Sequence, residues 1–163
     1  MPDRLLSADS PAAAEALRQA GLRITRQRLA VIDAIRTHPH ASVDEILEQL
    51  GAGASITRQA IYLIVADLSQ AGIVRRLDLP GHASRYELDE HDNHHHAVCD
   101  SCGLVLDVPC HTGSAPCLEA PVPLALDVRV ADVVYRGLCR DCTTTELPAA
   151  SSRTGRGRTH EGE

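Results

Sequence analysis

TRQAIYLIVADLSQAGIVRRLDLPGHASRYEL, residues 57–88, holds two different periodicities in succession. In the first, Ile61, Ile64, Val65 and Leu68 recur at i, i+3, i+4 and i+7, which fixes the buried face of an amphipathic helix. Arg58, Gln59 and Tyr62 then fall on or near the opposite face. Residues 73–88 follow as two short strand-like runs around the turn pair Pro80-Gly81, the pattern of a hairpin.

Upstream the chain reads as three more helices. SPAAAEALRQAG offers Ser10 as a cap, Pro11 at the first helical position and Gly21 as a stop. TRQRLAVIDAIRTH places Leu29, Ile32 and Ile35 at core-facing spacing, and SVDEILEQLG opens on Ser42 with Glu45 three residues on, a capping box. Helices that end in a two-stranded hairpin, with an arginine-bearing helix just before it, suggest a winged helix-turn-helix that meets DNA. A small helical bundle whose Arg and Gln only solvate a face fits the same pattern.

After Asp89 the texture changes. HAVC, LVLDV and DVRVADVVYRGLC are rich in Val and Leu with few helix signals and read as strands of a small sheet. Between them, residues 110–126 carry Pro116, Pro121 and Pro123, so any helix there is short. Residues 148–163 are small and polar without periodicity and are expected to be disordered. The expected fold class is therefore α+β: a winged helix-turn-helix domain over 1–88, a small α/β domain with a three-stranded sheet over 89–147, and a tail.

Bulk composition bounds what such a chain can be. Its 163 residues include only Tyr62, Tyr86 and Tyr135 as aromatics, so Leu, Val, Ile and Ala must fill two small cores, and a metal or a dimer interface is the natural supplement. No leader-like segment and no run of about 20 apolar residues is present, which points to a cytoplasmic protein without a membrane partner. In that compartment thiols stay reduced, so six cysteines argue for metal before disulfides. Residues 1–88 balance ten Arg against ten acids, whereas 89–163 set six Arg against twelve, so the net charge of −6 lies in the second half. The neutral half can approach an anion.

Two C-x-x-C pairs, Cys99/Cys102 and Cys139/Cys142, can close a tetrahedron around one structural zinc ion. Four sulfurs saturate that ion, so the histidines of HDNHHHAVC, residues 91–99, need another use. In an extended segment His94 and His96 share a side and His95 takes the other. Asp107 and Glu87 can add oxygen, and His40 can reach over if the halves fold together. Mixed nitrogen and oxygen ligation suits Fe(II), Mn(II) or Zn(II). His91, His95 and His111 read as incidental, and Cys110 and Cys117 stand outside the quartet, either as small packing residues or as a thiol redox switch.

GLRITRQR, the recognition-helix stretch TRQAIYLIVADLSQAGIV, RYE, HHHAVCDSCG and YRGLCRDC resemble the ferric uptake regulator (Fur) family of dimeric, metal-dependent repressors, from residue 11 to residue 143. DNHHH, Cys110 and APCL look most like its actinobacterial FurA/CatR-type members, similar in mechanism to PerR-type peroxide sensors. The resemblance implies one structural Zn(II) per chain on Cys99, Cys102, Cys139 and Cys142, and one regulatory Fe(II) or Mn(II) on His40, Glu87, His94, His96 and Asp107. It implies a homodimer that presents Arg23, Arg58, Gln59 and Tyr62 to a near-palindromic double-stranded operator, with His40 or His94 oxidised by peroxide. Targets of the catalase-peroxidase and oxidative-defence class follow; iron or zinc uptake is the alternative within the family, and Asp107, where iron sensors tend to have Glu, favours peroxide. Two departures stand out: RVADVVYRG, residues 129–137, lacks the histidine of a further family metal site, and Leu63 replaces the usual polar residue after the helix tyrosine. An open catalytic metal site is the rival from another class, but no H-E-x-x-H, nucleophile elbow or phosphate loop supports it, so no enzyme activity is expected.

Overall fold

The structure is a computed structural model that describes residues 11–113, Cys117 and 133–146. The Ser10 cap, most of the 110–126 segment and the 148–163 tail lie outside those residues. The described residues fall into two compact units, one of 11–94 with 109–113 and Cys117, the other of 95–108 with 133–146.

Four helices open the first unit: α1 (Pro11–Gln19), α2 (Arg26–Thr37), α3 (Val43–Leu50) and α4 (Arg58–Gln70). Local chemistry sets their ends. α1 stops where Gly21 takes φ +70°, a left-handed turn closed by Leu22 N donating to Leu17 O at 2.8 Å. The Thr25 hydroxyl accepts from Arg28 N at the start of α2. At α3 both halves of the capping box form, Glu45 N to Ser42 Oγ at 3.3 Å and Ser42 N to Glu45 Oε2 at 2.6 Å.

The face expected of α4 is the buried one: Ile61, Ile64, Val65 and Leu68 join Ile32, Ile35, Ile46 and Leu17 in one aliphatic core. Leu63 and Tyr62, off that stripe, stay exposed. The hairpin follows as β1 (Val74–Leu77) and β2 (Arg85–Leu88), antiparallel, with Arg75 opposite Glu87 and Arg76 opposite Tyr86. One further bridge matters for function. Tyr86 N donates to Ala41 O at 3.1 Å, which clips the loop before α3 onto β2.

The second sheet has the order β4-β3-β5, from β3 (His94–Cys99), β4 (Val105–Pro109) and β5 (Val134–Gly137). β3 and β5 run parallel, with His96 opposite Val134 and Cys99 opposite Gly137. The chain then enters α5 (Arg140–Glu146), a short helix that the Val- and Leu-rich pattern did not announce. The fold is the expected α+β arrangement of a winged helix-turn-helix and a small three-stranded domain.

Candidate metal centres and nucleic-acid face

The four cysteines of the C-x-x-C pairs meet in the second unit. Cys99 ends β3, and the chain turns at once: Gly103 N donates to Cys99 O at 2.9 Å, and Gly103 sits at φ +71°, a value that favours glycine. Cys139 directly precedes α5 and Cys142 lies one turn in, so a turn and a helix start present two thiols each. All four Sγ atoms lie within 4.8 Å of one another, with Cys102 and Cys139 at 3.8 Å. Cys139 N donates to Cys99 Sγ at 3.2 Å.

Backbone amides of Cys102 and then Cys139 hold the Cys99 thiol down to about 6, so it is a thiolate at neutral pH before any ion arrives. Cys142 is pushed up to about 12: the Ser101 hydroxyl pulls it down, but Cys139 and Cys102 beside it prevail. One preformed thiolate beside the raised thiols of Cys102 and Cys142 is an anchor for a first metal bond. Further protons then leave as the other bonds form. A set of four sulfurs fits Zn(II) in a closed tetrahedron and leaves no position for a substrate.

A second cluster forms in the first unit around Glu87, whose side chain is only 6 % exposed. The bridge between Ala41 and Tyr86 sets the preceding His40 against the following Glu87, and His40 Nε2 lies 2.9 Å from Glu87 Oε2. His40 takes φ +62°, a left-handed conformation that stores backbone strain in a residue other than glycine. Arg85 holds it there, with Nη1 donating to His40 O at 3.2 Å while the same guanidinium pairs with Glu45. His94 Nε2 approaches the other carboxylate oxygen, 3.3 Å from Oε1, and its Nδ1 lies 3.0 Å from Asp92 Oδ1. That second contact fixes the ring and leaves Nε2 directed at Glu87.

Arg75 completes this cluster and was not foreseen. Paired with Glu87 across the hairpin, it places Nη1 3.2 Å from Glu87 Oε1 and 3.5 Å from His94 Nε2, while Nη2 pairs with Asp89 at 3.1 Å. The sequence holds a clue, since a register that puts Glu87 inward puts one of the adjacent Arg75 and Arg76 beside it. Only the turn length decides which one. In the second unit His96, 5 % exposed, has Nε2 3.7 Å from Asp107 Oδ1. The regulatory candidates thus gather as His40, Glu87 and His94 in one unit and His96 with Asp107 in the other.

The remaining histidines divide. His91 is exposed, at φ +57° beside Asp89, and His111 is exposed as well. His95 is buried at 7 % exposure, so it is a packed residue rather than a loose one.

Arg58, Gln59 and Tyr62 lie exposed on the first two turns of α4, and Arg23 is exposed in the loop before α2. Arg58 Nε bonds Asp44 Oδ1 of α3 at 2.8 Å. Both groups are well exposed, so the pair is held weakly and a phosphate or base edge can take the guanidinium. Among the described residues no helix is long and apolar enough to cross a membrane.

Comparison with known proteins places this arrangement. Residues 19–112 match the model of the ferric uptake regulator family. The chain is 44 % identical over 137 residues to the transcriptional regulator FurA of Mycobacterium tuberculosis, covering 83 % of this chain and 93 % of that protein. It is 45 % identical over 120 residues to ferric uptake regulation protein 1 of Mycolicibacterium fortuitum, covering 73 % and 74 %. Among solved structures, the Vibrio cholerae ferric uptake regulator superposes with a TM-score of 0.57 at 25 % identity, covering 77 % of this chain and 98 % of that one. The chain belongs to the ferric uptake regulator family of metal-dependent transcriptional regulators.

Proposed function

We propose that the protein is a dimeric repressor whose grip on DNA depends on Fe(II) or Mn(II) and is lost on reaction with peroxide, with oxidative-defence genes as its targets. The observation that carries this reading is the Glu87 cluster. Two ligands of one first-row ion, each about 2.1 Å from it, lie about 3 Å or slightly more from each other. His40 with Glu87 at 2.9 Å, His94 with Glu87 at 3.3 Å and His96 with Asp107 at 3.7 Å are at or near that spacing. Three imidazoles and two carboxylates suit a divalent ion of the iron and manganese class, and four thiolates suit zinc, so the two sets divide the metals between them.

In this reading His40, Glu87, His94, His96 and Asp107 would hold one ion, and DNA binding would depend on it. Ferrous iron, if bound by these residues, would supply the electrons that reduce peroxide beside them. His40 and His94, 11 % and 15 % exposed, would take that oxidant: a ring that gains an oxygen donates less well, so the ligand set would weaken and the grip on DNA would be lost. Val134, Tyr135, Leu104 and Leu106, all large, apolar and exposed on the sheet unit, support a homodimer through that unit. A dimer offers two α4 helices, so a near-palindromic operator follows.

The test is fluorescence anisotropy with a labelled near-palindrome from upstream of the chain's own coding region. Binding with manganese or with anaerobic iron, and release by peroxide in the iron-loaded protein alone, is the expected result. Equal binding with and without the chelator EDTA would remove the regulatory role of the metal. Release by an iron chelator but not by peroxide would instead favour an iron-uptake repressor.

A further inference from the structure

Cys110 and Cys117 belong to neither ligand set, yet they stand together. Both are half-buried thiols of the first unit, and their Sγ atoms lie within 4.8 Å of each other. Cys110 directly follows β4, and its Sγ receives a hydrogen bond from Asn93 Nδ2 at 3.2 Å and lies 3.2 Å from Thr112 Oγ1. Burial and then the neighbouring Cys110 push the Cys117 thiol up, while the Asn93 side chain also reaches it. Two thiols do not complete the four donors that a structural ion takes. Two sulfurs within 4.8 Å of each other, against a disulfide bond of about 2 Å, are close enough to make bond formation the chemistry to test. An amide N–H is directed at one of the sulfurs, and half-burial leaves both open to a small oxidant.

We propose that Cys110 and Cys117 are a dithiol centre that hydroperoxides oxidise to a disulfide, separate from the zinc quartet and with no need of a metal. The Cys110 thiolate attacks the terminal oxygen of the hydroperoxide, an S–O bond forms, the O–O bond breaks, and the departing alkoxide or hydroxide takes up a proton. Cys117 then gives up its proton and attacks the Cys110 sulfur; the S–S bond forms, the S–O bond breaks and the hydroxide leaves with that proton as water. Two thiols lose two electrons, and the peroxide is reduced to an alcohol and water, or to two waters. Asn93 connects this centre to the rest of the molecule. A disulfide sulfur accepts more poorly than a thiol or thiolate, so oxidation weakens the hydrogen bond from Asn93 to Cys110, and Asn93 immediately precedes His94. Oxidation is thereby passed to a residue of the Glu87 cluster, a link that rests on the regulatory role proposed above.

Cleavage before aspartate isolates the centre, because residues 107–126 contain Cys110 and Cys117 and none of the quartet. The full chain, zinc in place and loaded with manganese, is exposed to hydrogen peroxide, alkylated, cleaved and weighed with and without reductant. The expected 107–126 fragment is lighter by a pair of hydrogens and carries no alkyl groups, and reduction restores two alkylation sites. Cys110→Ser and Cys117→Ser each abolish the bond, and Asn93→Ala slows its formation several-fold. Full alkylation of both cysteines at a peroxide dose that already releases zinc, or a bond found only among the quartet cysteines, overturns the proposal. The iron-loaded protein, run in parallel, keeps the two readings apart. Oxidised His40 or His94 with both thiols alkylated rejects the dithiol alone, whereas a disulfide with both histidines unmodified supports the dithiol and rejects histidine oxidation.

Discussion

Replacing Arg75 by glutamine should destabilise the metal-free protein far more than the manganese-loaded one. Arg75 Nη1 stands 3.2 Å from the Oε1 atom of Glu87, whose side chain is 6 % exposed, so in the absence of an ion the guanidinium is the permanent positive charge nearest that carboxylate. At this distance a unit charge pair in an effective dielectric of about 20 interacts by roughly 5 kcal/mol, and breaking a buried pair from one side typically costs about 3–5 kcal/mol. Arg75 is 29 % exposed, and His40 and His94 beside the carboxylate can take up part of the charge. Solvent screening and that compensation reduce the expected loss to about 2 kcal/mol. With a divalent ion on Glu87 the carboxylate is countered again, and only the contact with Asp89 is forfeited, under about 1 kcal/mol. The difference of about 1–1.5 kcal/mol appears by linkage as roughly tenfold tighter manganese binding by the variant. Urea unfolding of both forms, with calorimetric titration of manganese, measures the two sides of this cycle. An equal loss of stability in both forms, or weaker manganese binding by Arg75→Gln, refutes the picture of Arg75 as the charge that occupies the ion's place.

Further outcomes follow from the same geometry. Cys99→Ser should release the zinc ion and unfold the sheet unit or scatter the dimer, since metal binding in small zinc domains supplies about 10–16 kcal/mol of folding free energy; retention of one tightly bound zinc per chain by a dimeric variant contradicts this. In zinc-stripped protein Cys99 should gain reactivity toward iodoacetamide as pH rises through about 6, because the Cys102 and Cys139 amides hold its thiol down, and the thiolate exists above that pH and is lost below it. A midpoint above pH 8 would show that those amides do not act on it. Arg58→Ala and Tyr62→Ala should each weaken specific operator binding by about 1–3 kcal/mol, read as a shift in anisotropy midpoints against a scrambled duplex; wild-type affinity in Tyr62→Ala removes it from the DNA face.

How far the sequence carries depends on whether a feature is local. The Ser42 cap, the glycine stop at Gly21 and the buried stripe of α4 are set within a few residues, and each is where the pattern puts it. The cysteine quartet is legible too, because the spacing within each pair is itself the chemistry. What the pattern does not reveal is set across distance. The parallel pairing of β3 with β5 joins residues 38 apart, as with His96 and Val134, and no local period encodes it. The helix α5 is seven residues long and rich in Thr, too short and too poor in apolar period to announce itself. His40 meets Glu87 only because Ala41 bridges Tyr86, and Arg75 rather than Arg76 faces the carboxylate only because of the hairpin register. For His40 and Glu87, family resemblance supplied what periodicity could not. For Arg75, Arg85 and Asn93 neither did.

The central claim, that the ligands themselves record peroxide, is tested most directly by mass spectrometry of two fragments. Cleavage before aspartate yields 33–43, which holds His40, and 92–99, which holds His94. Iron-loaded and manganese-loaded protein receive the same small dose of peroxide, and fragment ions locate any added oxygen. One added oxygen on His40 or His94 in the iron-loaded protein alone, diminished by Asp107→Glu and accompanied by loss of operator binding, is the predicted result. Release from the operator with both histidines unmodified would contradict it.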